Sequence, residues 1–167
     1  METDRSPSLL KMAVILPLAG GIIVAAAVAI ASRLQLSEGR PGVLMVTVPV
    51  PALVLLLVAL AAACRARSFR FGLLTGLWAL LASFVALLAA LAVEGPVWMA
   101  RYGVFMLDGD PPRNSASTVD VVMDLFSTGM WSGHLFLWVP AVLIGAGLGA
   151  WIAGRMSSLG QARQLAA

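Results

Sequence analysis

Apolar residues gather into four long runs along the chain, and no charged side chain lies inside any of them. The runs extend from Met12 to Ser32, Val43 to Cys64, Phe71 to Val93 and His134 to Gly154. An α-helix needs about twenty apolar residues to cross ~30 Å of hydrocarbon at ~1.5 Å per residue, and each run supplies that length. A chain inside lipid must satisfy its own backbone N–H and C=O groups, which a helix does and an open strand does not. The pattern predicts an all-α membrane protein, a four-transmembrane-helix bundle. Its spans lie at 12–32, 43–64, 71–93 and 134–154, followed by a cytoplasmic tail at 155–167. A long extracytoplasmic loop at 94–133 carries one or two short interfacial helices.

The first run also has marks of a secretory leader. Arg5 and Lys11 precede it, and Ala29-Ile30-Ala31 resembles a small-residue cleavage site. The apolar stretch from Met12 to Ala31 is longer than the ~7–15 residues of a leader's core, so it is expected to remain as the first helix.

Composition supports the membrane reading. Hydrophobic residues make up 60% and charged residues 11% of the 167 residues, and mean hydropathy is +0.96. A soluble domain carries roughly 25% charged residues. Little polar chain remains outside the spans, so residues 1–167 are expected to form a single integral membrane domain. The sequence pI near 10.0 does not point to nucleic acid. The basic residues sit at the ends of the spans, where headgroups and topology call for them. Ten arginines against one lysine, with abundant alanine, suggest a GC-rich bacterial genome and hence a bacterial inner membrane. The single cysteine, Cys64, closes the second span and has no partner for an internal disulfide. It is expected to be a small apolar residue at a helix end.

Charge then orients the bundle. Four spans put both termini on one side with the short loop between the second and third spans. That side holds Arg5, Lys11, Arg65, Arg67, Arg70, Arg155 and Arg163 against Glu2 and Asp4. The opposite side holds Arg33, Arg40, Arg101 and Arg113 with six carboxylates. Seven basic residues against four predict cytoplasmic termini by the positive-inside rule.

Lipid gives helices no hydrophobic reason to associate, so small residues that let backbones approach are expected at their contacts. The fourth span repeats Ala141, Gly145, Gly149 and Ala153, with Gly145 and Gly149 as a GxxxG centre. The third span repeats Gly72, Gly76, Ala79, Ser83, Ala86 and Ala90 in steps of four and three, a heptad period. Gly20-Gly21 gives the first span a flat spot. Proline interrupts three spans, at Pro17, at Pro49 and Pro51, and at Pro140. The pair at Pro49 and Pro51 is expected to bend or break the second helix, with Thr47 able to bond a freed carbonyl.

Any chemistry is expected in the loop from Glu94 to Gly133. Pro96 suits the first position of a short helix reaching Leu107, with Trp98, Tyr102 and Phe105 along it at headgroup level. Asp108-Gly109-Asp110-Pro111-Pro112 forms a turn. Ser117 and Asp120 have the spacing of a capping box, opening a second helix that Gly129 stops near Thr128. Val121, Val122, Leu125 and Phe126 give it an apolar side expected to lie on the bundle. Asp120 and Asp124 at i, i+4 share a face, and with His134 they are the candidate metal or proton-shuttle group. Each also has a plain explanation, Asp120 as a helix-start residue and His134 as a half-wet interfacial side chain. No metal and no cofactor is predicted. Phosphate-loop, nucleophilic-serine and zinc-protease motifs are all missing from the sequence.

Carriers and pumps need ionisable groups near the midplane, and the polar side chains within the spans reduce to Thr47, Thr75 and Ser83. The expected function is an accessory or scaffolding subunit of a larger bacterial membrane complex. Its partners are the lipid bilayer and other membrane chains, in a hetero-complex or homo-oligomer. Trp98, Tyr102, Phe105, Leu125 and Phe126 are the candidate partner-binding residues. The alternative is a small transport or ligand-binding protein with a cavity near the proline-bent second helix, and a loop-borne membrane enzyme comes third.

Overall fold

The computed structural model describes residues 6–34, 47–103, 105–107, 113–115, 117–124 and 126–165. The elements are α1 (Ser6–Leu34), α2 (Pro49–Ala66), α3 (Phe69–Tyr102), β1 (Phe105–Leu107), β2 (Arg113–Ser115), α4 (Thr118–Asp124) and α5 (Thr128–Leu165). Four helices are long and apolar enough to cross a membrane, over Leu9–Ile30, Pro49–Ala66, Phe69–Arg101 and Trp131–Ser158. The body is therefore helical, as the apolar runs predict. The connection between the third and fourth spanning helices adds a small antiparallel ribbon in which Phe105 pairs with Ser115 and Leu107 with Arg113.

The prolines of the second and third spans act differently from one another. The helical run is interrupted at Val48 and α2 begins at Pro49, so Pro49 and Pro51 break the second span in place of bending it. The first turn of a helix has no use for those amide donors, and the fixed φ of proline suits it. The predicted residues 43–46 of this span lie outside the described residues. Pro96 does not start a separate helix, because α3 runs through it to Tyr102, and Leu107 belongs to β1. Pro96 has no N–H to give the Ala92 carbonyl one turn earlier, and Ala92 is exposed, at the far end of a helix longer than a span needs. Gly103 ends the helix at φ 79°, its N–H donating to the Met99 carbonyl at 2.8 Å. The second loop helix is also shorter than expected. It stops at Asp124, and Gly129 falls inside the first turn of α5. Phe126 and Ser127 donate back to Met123 and Asp124 at 3.1 and 3.0 Å, closing a turn between the two helices. The Asp108–Pro112 turn lies outside the described residues.

The α2–α3 hairpin turns within two residues. Arg67 takes the left-handed conformation at φ 51°, and Ser68 N–H reaches the Ala63 carbonyl at 3.1 Å. Ser68 Oγ in turn accepts from Phe71 N–H at 3.3 Å, capping α3.

Helix α2 is the axis of the bundle. It packs most extensively on α5 and also on α3, while α1 lies mainly against α3. The approach is close because glycines face it from both sides. A methyl group on Gly76 would stand 3.0 Å from Ala59 Cβ and 2.6 Å from Val142 Cγ1. One on Gly72 would stand 2.9 Å from the Ala59 carbonyl oxygen. Gly145 sits on the Leu56 carbonyl, and Gly149 on that of Leu60, with Ala63 Cβ 2.8 Å from where its own Cβ would be. Ala59, Ala62 and Ala63 are fully buried. Around this seam Val24 and Val28 of α1, Leu55 of α2, Ala79, Phe84 and Leu87 of α3, and Val142 and Ala146 of α5 complete the core.

This geometry gives a test with an internal control. Gly149→Leu should destabilise the bundle by about 1–3 kcal/mol or more, since neither backbone can yield without parting α2 from α5. Gly147→Leu, whose Cβ would meet nothing within 4 Å, should be tolerated. Unfolding of the purified protein in mixed micelles reads the difference.

Candidate functional site

Trp131, His134 and Trp138 stand at i, i+3 and i+7 in α5 and so share one face. They close on Phe84 of α3. The Trp131 ring stacks on Phe84 with centroids 4.1 Å apart and 23° between planes. Trp138 meets Phe84 edge-on at 5.6 Å, and His134 lies edge-on to Trp138 at 5.3 Å and to Phe84 at 6.4 Å. Offset and edge-to-face pairs of this kind add about 0.5–1.5 kcal/mol each beyond the area they bury. The Trp138 indole N–H donates to the Val48 carbonyl at 2.9 Å, tying α5 to the residue before α2 begins. That carbonyl also accepts from Ala52 N–H at 3.4 Å.

Polar side chains are buried around the same end. His134 is only 2% exposed, which corrects the expectation of a half-wet interfacial histidine. The aromatic rings enclose it. Thr47 is buried at 2% and Ser83 at 0%, and the Ser83 Oγ has no hydrogen-bond partner among the described residues. Glu94 and Asp124 are each 8% exposed, while Thr75 is buried lower in α3.

The candidate acids do not behave as a pair. Asp120 is exposed and Asp124 buried, so the i, i+4 spacing leaves the two carboxylates in different surroundings. Asp120 N–H donates to Ser117 Oγ at 3.4 Å, the helix-start bond that the Ser117–Asp120 spacing anticipates. Among the described residues no three His, Cys, Asp or Glu side chains are grouped to hold a metal ion. Asp120, Asp124 and His134 are thus not brought into one site.

Of the other sequence candidates, Gly72, Gly76, Ala79, Ser83, Gly145 and Gly149 are all buried at helix contacts or beside them. Trp98 and Tyr102 belong to the last turns of α3, Phe105 to β1, and Leu125 lies outside the described residues. Phe126 is 63% exposed, away from the bundle it was expected to cover. Sequence reasoning missed the Trp138–Val48 bond and the burial of Glu94 and Asp124. The i, i+3, i+7 spacing of the two tryptophans around His134 was the available signal for the aromatic cluster.

No family model, curated protein or solved structure matches this chain.

The cluster makes its own prediction. Trp138→Phe keeps the ring packing but removes the donor to Val48, and should cost about 1 kcal/mol of stability. Trp138→Ala also empties the core and should cost about 3–5 kcal/mol. Equal stability of wild type and Trp138→Phe in reversible micelle unfolding would show that the hydrogen bond contributes nothing.

Proposed function

We propose that this chain is an accessory or scaffolding subunit of a larger bacterial membrane complex, seated in the inner membrane with both termini in the cytoplasm. One observation carries the reading. Val119, Met123 and Phe126, spaced i, i+4 and i+7 along α4 and the turn after it, are 70%, 66% and 63% exposed. They lie outside the spanning helices, where an apolar stripe meets water unless another surface covers it. A second chain docked on this loop covers it, and Trp98, Tyr102 and Phe105 are the further candidates for contact with that chain. The middle of each span adds support: the ionisable side chains buried in the spanning helices, Glu94 and His134, stand near span ends, and the runs 71–93 and 135–154 between the ends carry none on which a carrier or pump depends. The transport alternative rested on a cavity beside a bent α2. The groove described below instead opens between α1 and α3.

Orientation follows from the basic residues at one end of the spans. Arg155 lies over the Trp151 ring at 4.8 Å, an arrangement suited to a headgroup-level anchor. In intact cells, with Cys64→Ala removing the native thiol, an impermeant maleimide should label Ser115→Cys and leave Ser68→Cys unlabelled. The opposite pattern would invert the topology.

The partner reading is tested by co-purification in gentle detergent. Met123→Ser combined with Phe126→Ser, and Trp98→Ala separately, should each weaken recovery of the associated chains about tenfold or more, the scale of interface hot spots. Asp120→Asn should leave it intact, because an exposed carboxylate contributes little. Loss of the host complex's activity on changing Asp120 or His134, with the apolar variants unaffected, would sink the subunit reading.

A further inference from the structure

A groove of about 840 Å³ runs between α1 and α3 and is open sideways to the bilayer. Its floor is formed by small residues where the helices touch. A methyl on Gly21 would stand 3.3 Å from the Ala82 carbonyl oxygen and 3.7 Å from Ala86 Cβ. Its walls are large and apolar, among them Leu18, Ile22, Trp78 and Leu81, all more than half exposed. A lining of this kind offers nothing to a polar solute.

Charge marks one end of the groove. Lys11 is exposed and precedes Leu18 and Ile22 by seven and eleven residues, which at ~100° per residue puts it within about 20° of their direction. Arg70 is exposed and precedes Leu81 by eleven residues, so it stands in line with the opposite wall. Successive spans alternate in direction, so α1 and α3 run parallel and both cations meet the same membrane surface, whichever way the bundle is inserted. An apolar trough ending between two cations is complementary to an amphiphile with an anionic head.

We infer that this groove is a binding site for an anionic phospholipid. One acyl chain lies along the Gly21, Ala82 and Ala86 floor, and the phosphate sits between Lys11 and Arg70. A chain of methylenes can reach that floor, whereas a helix, ~10–12 Å across with its side chains, rests on the rims. Each basic side chain near the surface favours an anionic head by roughly fivefold. The site is independent of any protein partner.

Photo-crosslinking tests it on the full-length protein in phosphatidylcholine vesicles. A trace of phosphatidylglycerol with a diazirine in its acyl chain is compared with phosphatidylcholine labelled in the same way. Phosphatidylglycerol adducts should concentrate on Leu18, Trp78 and Leu81 and exceed those of phosphatidylcholine. Lys11→Gln and Arg70→Gln, both at exposed positions, should each lower the phosphatidylglycerol signal roughly fivefold. Ala13→Phe, which fills the groove, should lower labelling by both lipids at Trp78. Equal labelling by the two lipids in the wild type overturns the site. So do adducts spread evenly onto the outward Phe136, Leu143 and Trp151 of α5, or lipid adducts that are missing from Leu18 and Trp78.

Discussion

The bundle depends on how closely α3 and α5 approach α2. In lipid the side chains of separated helices already lie in apolar surroundings, so burying them against one another gains little. What is gained is dispersion, which falls away within a fraction of an ångström of ideal contact. The alanines of α2 and the glycines opposite them bring backbone to backbone, Gly72 and Gly76 from one side and Gly145 and Gly149 from the other. Ala63 serves both neighbours, lying against Gly72 of α3 and Gly149 of α5, so a larger side chain there disturbs two interfaces together. The remaining core is built around positions that the seam sets.

At the end of the bundle where α2 begins, different forces operate. There α5 is held to α3 by stacked rings and to the start of α2 by the Trp138–Val48 hydrogen bond. The bond is placed where α2 begins in proline, a segment with fewer amide donors of its own. A large indole with one polar edge suits this level, since its body packs on Phe84 while its N–H reaches a backbone carbonyl. His134 is carried into the same cluster and becomes a packed ring in place of a solvent-facing one.

Helix α1 has another character. It leans on α3 through Gly21 and keeps most of its large side chains outward. The seam around α2 encloses, whereas the contact of α1 with α3 leaves a trough. A compact seam and an open flank on one chain divide it into a part that holds the fold and a part that meets the bilayer. Val119 and Met123 of α4, with Phe126 in the turn after it, form a second outward surface, outside the four spanning helices.

Membrane residence, helical class and approximate spans were legible in the sequence, because a lipid solvent demands about twenty apolar residues and a self-satisfied backbone. The positions of Gly145 and Gly149 also stood out, since small residues at i, i+4 have few other reasons to recur. Local signals with two physical outcomes were decided only in three dimensions. Pro49 and Pro51 can bend a helix or break it, and Pro96 can begin a helix or be carried through one; the helix limits at Pro49 and Tyr102 decided between them. Asp120 and Asp124 share a helical face by spacing, yet one is exposed and the other buried, which spacing along a single helix does not reveal. The groove between α1 and α3 has no local signature, as it arises from two stretches more than fifty residues apart. Spacing along one helix tells which side chains point the same way, and only the packing of the others tells what they point at.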